Sequence, residues 1–315
     1  MVDSFIKKEY YIFNYVREER QKMTKSILNK IDALYSKLSK GQKKIANYIM
    51  ENYDKAAFMT AARLGETVGV SESTVVRFAT ELGFEGYPAF QNDLQELIRS
   101  KLTSVQRMES ASVRIGQDEI LETVLTADAS MIKATLEQTS KENFNGAVEA
   151  INKARNIYIL GVRSAATLAN FLAFYFRPVY ENVILVDSAR ASEVFEQIFR
   201  VDERDICIAI SFPRYSNQTI SALRFIHDKK AKIISITDSE LSPIAQLADY
   251  LLLARSTMAS FVDSLVAPLS LINALIVAAT FNRRSEVYDN LSELEKIWDE
   301  YNVYDKQEAR PDDDK

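Results

Sequence analysis

Apolar residues in the first third of the chain recur every three or four positions, a spacing that predicts amphipathic helices. The pattern begins at Ile27, is expected to break at residues 39–41, and ends with a periodic run over residues 89–102. These observations predict an all-α domain over residues 23–102. Residues 1–22 mix aromatic and charged side chains and are expected to form an N-terminal extension.

Two short helical patterns meet at Gly69, within the stretch TAARLGETVGVSESTVVRFATELGFEGYPAFQ that begins at Thr60. Gly69 can adopt the left-handed backbone conformation that a tight turn needs, because it has no Cβ. The second helix is expected over residues 71–82. Its buried face is predicted to consist of Val75, Val76, Phe78, Ala79 and Leu82.

The outward side of the second helix carries short hydroxyls and one arginine, which suit a surface that approaches base edges and phosphates closely. A helix-turn-helix with its recognition helix at residues 71–82 is therefore predicted, and a helical hairpin inside a larger bundle is the alternative. Lysines near the start of the preceding helix either contact phosphates or are merely solvated. The residues predicted to contact DNA are Lys43, Lys44, Thr60, Ser71, Ser73, Thr74, Arg77 and Tyr87.

The pattern changes near residue 155, where continuous apolar runs begin to alternate with helical segments. The runs cover residues 157–160, 183–186, 206–210, 233–236 and 250–253. This alternation predicts a five-stranded parallel sheet covered by helices on both faces. The predicted fold class is α/β with an all-α N-terminal domain.

The remaining segments complete the expected domain organisation. Residues 103–150 are predicted to hold a linker and two bridging helices, and residues 151–302 form the α/β domain. A long apolar helix over residues 264–281 is expected to be buried against the sheet or against a partner subunit. The tail, residues 303–315, contains too few apolar residues to pack and is expected to be disordered.

Composition excludes several function classes. No apolar run reaches the length of a bilayer span, and no signal segment opens the chain. One cysteine, Cys207, excludes a disulfide framework, and one histidine, His227, excludes a histidine-cluster metal site. A cytoplasmic protein without metal or cofactor is therefore expected.

Charge is unevenly distributed along the chain, whose net charge is −5. Residues 1–102 hold 16 Lys and Arg against 13 Asp and Glu, and the other residues hold 23 against 31. The front of the chain is thus weakly basic, and one copy should bind DNA weakly because phosphate contacts supply most non-specific affinity. Two copies joined on a two-part site would compensate.

Polar loops follow three of the predicted strands, at the edge where open α/β sheets bind ligands. Their hydroxyls could simply cap the helices that follow, or they could bind a phosphate at the helix N-termini. Two arginines in these loops favour an anion, since they would otherwise repel each other unless an acid lies between them. The predicted anion-binding residues are Arg163, Ser164, Ser211, Arg214, Ser216 and Thr219.

The segment GVSESTVVRFATELGFEGYPAF resembles the N-terminal domain of the RpiR (MurR/RpiR) family of bacterial transcription regulators, and residues 155–283 resemble the SIS, or sugar isomerase, domain that these regulators carry. The resemblance implies a dimer or tetramer that binds operator DNA and senses a phosphosugar. Four positions depart from the family pattern. Gln91 replaces a common lysine, Arg163 replaces a second glycine, and Pro213-Arg214 replaces the Ser-Gly centre of the phosphate loop.

Three function classes are compatible with this sequence. The first, a carbohydrate-gene repressor that responds to a sugar phosphate, is favoured. The second is a repressor whose SIS domain is only an oligomerisation scaffold, which the altered phosphate loop supports. The third, a sugar-phosphate isomerase, needs a general base, and His227, Glu193 and Glu240 all lie at positions typical of surface residues. No catalytic residue is therefore expected.

Overall fold

The computed structural model describes residues 27–28, 30–99, 103–108, 119–186, 191–258, 260–281 and 283–304. The chain divides into two compact units. The first runs to Asp128 and also includes residues 213–215 and 257–264; the second holds residues 129–212, 216–256 and 265–315. The predicted extension (residues 1–22) and nearly all of the predicted tail fall outside the described residues.

The first unit is helical, as expected. A helix through residues 30–34 leads into a 3-10 turn at Tyr35–Lys37. The helices that follow are α1 (Lys40–Ala56), α2 (Ala61–Val68), α3 (Glu72–Glu81) and α4 (Tyr87–Arg99).

The predicted break at residues 39–41 is wrong in one respect, because Ser39 starts a helix there. Its hydroxyl accepts a hydrogen bond from the Gln42 amide at 3.4 Å, and the Gln42 side chain accepts one from the Ser39 amide at 2.9 Å. This reciprocal capping places Gly41 inside α1. There Gly41 lies beneath α3, where an added Cβ would be 3.4 Å from the Thr74 methyl carbon.

The turn between α2 and α3 has the geometry expected of a helix-turn-helix. Gly69 ends α2 with φ 70° and ψ 49°, in the left-handed region. Gly65 also matters, because a Cβ there would lie 2.8 Å from the Val70 carbonyl oxygen. The two helices can approach this closely only with glycine at residue 65.

The second unit is an α/β domain. Its elements are α5 (Ile120–Gln138, which starts in the first unit), α6 (Lys141–Lys153), β1 (Ile157–Gly161), α7 (Ser164–Phe176), β2 (Val183–Leu185), α8 (Ala191–Ile198), β3 (Ile206–Ile210), α9 (Asn217–Asp228), β4 (Lys232–Thr237), β5 (Tyr250–Leu253), α10 (Val266–Phe281) and α11 (Arg284–Glu300). The strands form one parallel sheet in the order β2-β1-β3-β4-β5. Every residue of β1 and β3 is buried. The predicted five-stranded sheet is confirmed.

Sequence patterns missed two helical segments. Residues 104–108, inside the proposed linker, are helical. Arg107 in this segment is buried and donates to Asp263 at 2.8 Å, a contact between residues far apart in sequence that no local pattern reveals. Helix α11 was also not anticipated, and none of its residues is fully buried.

Among the described residues, one pair of helices has the length and composition that a membrane span needs. No single helix there is long and apolar enough to cross a bilayer, whereas the bent pair formed by α10 and α11 passes by length and composition alone.

Candidate nucleic-acid interface and effector site

The exposed face of α3 is the candidate DNA-reading surface. Val75, Phe78 and Ala79 are fully buried in the core of the first unit. The exposed positions of α3 are Glu72, Ser73, Val76, Arg77, Thr80 and Glu81. Val76, expected in the core, is thus on the surface, because each helix residue is turned about 100° from the one before it and the buried side covers only part of the circle.

Hydroxyl groups cluster at the N-terminus of α3. The Ser71 hydroxyl lies 3.0 Å from the Ser73 hydroxyl and 2.9 Å from that of Thr74. Although Ser71 is the N-cap residue, its side chain makes no capping hydrogen bond to the helix. The first amides of α3 are therefore not capped by this residue, an arrangement compatible with a phosphate contact.

Arg77 is exposed and held by its own helix. Its Nε donates to the Ser73 carbonyl oxygen at 3.2 Å. This bond uses one of the five guanidinium N–H groups, so the terminal nitrogens can still form a bidentate pair with guanine O6 and N7.

The other predicted DNA contacts differ in exposure. Lys44 is exposed, and its Nζ lies 3.9 Å from the position that a Cβ on Gly69 would take. Lys43 is half-buried, with its Nζ 5.5 Å from the centre of the Tyr35 ring. Thr60 is exposed and caps α2, since its hydroxyl accepts from the Arg63 amide at 3.2 Å.

Tyr87 does not lie on this surface. It is only 4% exposed, and its hydroxyl donates to the Met59 carbonyl oxygen at 2.7 Å. Burial raises the pKa of this phenol. Its ring lies beside Phe90, the other aromatic of the Gly-Tyr-x-x-Phe segment, at 6.0 Å between centroids. Tyr87 therefore supports the fold of the domain, and its prediction as a DNA contact is wrong.

Gln91, at the position where the family commonly has a lysine, makes hydrogen bonds that hold the segment between α1 and α2. Its Nε2 donates to the carbonyl oxygens of Ala57 and Met59 at 3.1 and 2.8 Å. Gln95 adds a second donor to Ala57 at 2.8 Å. These bonds satisfy the carbonyls that follow α1 and hold the segment from which α2 begins.

The candidate effector site lies at the carboxyl edge of the sheet. Strands β1 and β3 are parallel neighbours, with Gly161 opposite Ile210. The strand order reverses between them, and open α/β sheets bind ligands at such a switch point. The loops after β1 and β3 therefore leave the sheet side by side.

The loop after β1 is tight. A Cβ on Gly161 would lie 2.5 Å from the Ala165 carbonyl oxygen, so only glycine lets α7 start this close to the strand. Arg163 has φ 60° and ψ −126°, a conformation that glycine favours and that strains other residues. Ser164 follows as the first residue of α7 and is exposed.

This strain leads to a stability prediction. Arg163→Gly is expected to raise the free energy of unfolding by about 1 kcal/mol, because relief of strain outweighs the extra entropy of glycine in the unfolded chain. Urea denaturation measures the change. Arg177→Gly is the matched control, since Arg177 has ordinary helical angles of −57° and −39° and should lose stability. Equal losses in both variants would contradict the strain at Arg163.

The loop after β3 brings three predicted side chains to the same edge. Ser211 is buried, and Ser216 is the N-cap of α9 without a side-chain capping bond. Thr219, in the first turn of α9, is fully buried, and its hydroxyl has no hydrogen-bond partner among the described residues. Residues 213–215, which include Arg214, group with the first unit, so the second unit contributes only five of the six predicted side chains.

Asp238 was not among the predicted site residues. It is buried at the end of β4, next to β3, where its Oδ1 accepts from the Thr237 hydroxyl at 3.3 Å. The sequence could have identified Asp238 as a site residue, because it comes directly after a buried strand, in the third polar loop at the same edge of the sheet.

The chain combines a helix-turn-helix with an α/β domain whose loops gather at a switch point, an arrangement typical of two-domain transcription regulators. Residues 25–101 match the helix-turn-helix domain of the rpiR family, and residues 150–278 match the SIS domain. The chain belongs to the RpiR family of transcription regulators.

Relatives agree with this assignment. The chain is 24% identical to the transcriptional regulator HexR of Escherichia coli, over 92% of this chain and all of that protein. It is 26% identical to an uncharacterized helix-turn-helix regulator of Haemophilus influenzae, over 72% of this chain and 79% of that protein.

Two solved structures share the fold. The NanR protein of Vibrio vulnificus, complexed with ManNAc-6P, has a TM-score of 0.53 and 20% identity over 86% of this chain and 97% of NanR. The sugar isomerase domain of an RpiR transcription factor from Sphaerobacter thermophilus has a TM-score of 0.53 and 24% identity, over 56% of this chain and 99% of that one.

Proposed function

We propose that the protein is a cytoplasmic repressor of carbohydrate-metabolism genes that binds operator DNA as a homodimer or homotetramer and senses a phosphorylated sugar. The observation that carries the effector assignment is the fully buried Thr219 hydroxyl, in the first turn of α9, which has no hydrogen-bond partner in the part of the chain that the structure describes. A buried polar group normally has a hydrogen-bond partner. A phosphate oxygen at the N-terminus of α9 would supply one and would also interact favourably with the helix dipole.

The rest of the site fits a sugar phosphate. Ser211 and Ser216 lie at the two ends of the loop that leads into α9. Ser164 is the first residue of α7, the helix that follows the neighbouring strand β1. Arg163 adds a positive charge at the same edge. Asp238, one strand further along, suits a sugar hydroxyl better than a phosphate, because its carboxylate accepts hydrogen bonds and repels anions. The solved NanR complex, with the same fold, holds the phosphosugar ManNAc-6P.

Self-association through the second unit is supported by α10. No charged residue occurs between residues 265 and 281, yet only one side of this helix is buried, against α6 and α7. Val277 and Phe281 on its other side are 64% and 66% exposed. A helix that is apolar all round is normally covered on all sides, so we assign the outer side of α10 to the contact with a second copy.

Two other functions fit less well. The general base that an isomerase needs is not His227, which is exposed in the last turn of α9, about 15 Å along the helix from its start. A ligand-independent repressor has one observation in its support, which is Pro213-Arg214 at the centre of the phosphate loop. Proline lacks the amide donor that a phosphate would need there.

Thr219→Val tests the effector site. Since the hydroxyl has no partner within the described residues, the variant should be at least as stable as the wild type without ligand. Its affinity for the phosphosugar should fall about fivefold to tenfold. The measurement is a thermal-shift and calorimetric screen with C5 to C7 sugar phosphates, ManNAc-6P and inorganic phosphate.

The control is Thr280→Val, whose hydroxyl bonds to the Ile276 carbonyl oxygen in α10, away from this edge. It should bind the ligand as the wild type does. If no sugar phosphate raises the melting temperature of the wild type, the α/β domain does not sense an effector and serves only as an oligomerisation scaffold. If Thr219→Val and the wild type bind equally, the assigned site is wrong.

A further inference from the structure

Val76 stands out on the recognition helix because it is the only large apolar side chain on the exposed face of α3. It is 39% exposed, whereas Val75 directly before it and Phe78 two residues after it are fully buried. Its neighbours on the exposed face, Ser73, Arg77 and Thr80, are polar. The core of the first unit therefore does not explain an aliphatic residue at this position.

Local helix stability does not explain Val76 either. Valine is a weaker helix former than alanine or the long polar residues, because its branched side chain is restricted against the preceding turn. A solvent-facing helix position gains nothing from its methyl groups. The same restriction fixes the side chain almost entirely in one rotamer, which makes Val76 a rigid apolar contact in the middle of the reading face.

The DNA major groove contains one apolar group that such a side chain can recognise. Each base pair presents hydrogen-bond donors and acceptors there, but only thymine adds a methyl group, at C5. Thr80 lies one turn further along α3, and its hydroxyl donates to the Val76 carbonyl oxygen at 3.2 Å, so this polar group is bound to the helix backbone. Arg77, the next residue, is suited to the guanine edge instead.

We propose that Val76 determines specificity for a thymine in each operator half-site, through contact with its C5-methyl group, beside the base pair that Arg77 reads. This inference rests on the DNA-binding function proposed above and adds the base that the recognition helix selects at one position. Removal of the methyl group should weaken binding by about fourfold per contact, which corresponds to about 0.8 kcal/mol for one buried carbon group.

The test uses the full-length protein and a random duplex library. Selection with the wild type should yield a half-site with a fixed thymine, and selection with Val76→Ala should leave that position variable while the guanine position stays fixed. Deoxyuridine is then substituted for that thymine, which removes only the methyl group. The wild type should lose about fourfold in affinity per half-site, and Val76→Ala should bind both duplexes equally.

Val76→Ala is expected to fold, because the side chain is outside the core and alanine favours the helix. Val76→Thr is the matched variant of nearly equal shape, and it should retain part of the deoxyuridine effect through its remaining methyl group. Equal deoxyuridine penalties in wild type and Val76→Ala would overturn this proposal alone. If the wild type enriches no sequence, operator binding itself fails, and the role of Val76 fails with it.

Discussion

Arg77→Ala is expected to weaken operator binding on the order of 100-fold while leaving the fold and the oligomeric state unchanged. An arginine paired with a guanine contributes about 1–3 kcal/mol, and each copy in a dimer loses this amount. The side chain is exposed and donates a hydrogen bond to its own helix, so the core does not depend on it. Fluorescence anisotropy with the selected duplex measures the loss.

Arg77→Lys separates charge from geometry. Lysine retains the positive charge but not the planar fork, so this variant should keep non-specific binding and its salt dependence while losing discrimination at the guanine position. Lys153→Ala is the control, because Lys153 is exposed in the second unit and pairs with Glu149 in its own helix. Undiminished operator binding by Arg77→Ala would remove the recognition-helix assignment.

Asp205→Ala is expected to lower the free energy of unfolding by about 3 kcal/mol, the largest stability effect expected of the variants considered. The Asp205 carboxylate is fully buried and accepts hydrogen bonds from Arg155 at 2.9 and 2.6 Å. It also accepts from the Asn156 side chain at 2.8 Å and from the Asp202 amide at 2.9 Å. Because Arg155 precedes β1 and Asp205 precedes β3, this network joins the amino ends of the two central strands.

Glu149→Ala is the matched control for Asp205, as it also removes one carboxylate from an ion pair. The Glu149–Lys153 pair is exposed, and such pairs contribute little, so the loss should stay below about 0.5 kcal/mol. Urea denaturation of both variants gives the comparison. Similar midpoints for the two variants would show that the Asp205 network does not stabilise the sheet.

Local patterns predicted the elements of this protein well, and they failed where a distant contact decides the outcome. The strand at residues 206–210 and the left-handed Gly69 follow from runs and turns of a few residues. Val76 lies outside the core although the pattern predicts it inside, because periodicity locates a buried side only to within about one residue. The burial of Tyr87 does not follow from local patterns, since its bond to Met59 connects positions 28 residues apart.

The candidate effector site shows the same division. The positions of Ser211 and Ser216 at the end of a strand and the start of a helix were readable from the sequence, because both elements are local. The strain at Arg163 and the burial of the Thr219 hydroxyl, which lacks a partner among the described residues, were not, since backbone angles and burial depend on how α7 and α9 pack on the sheet.

The sequence by itself determined the two-domain organisation, the helix-turn-helix, the parallel sheet and the family, because hydrophobic spacing and short motifs depend on neighbours within a few residues. Only the tertiary structure decided which side chains of the recognition helix face outward, that Tyr87 and Gln91 support the domain, and that the Thr219 hydroxyl is buried. These properties depend on contacts between segments far apart in the chain. Such contacts stabilise the fold without producing a periodic pattern in the sequence.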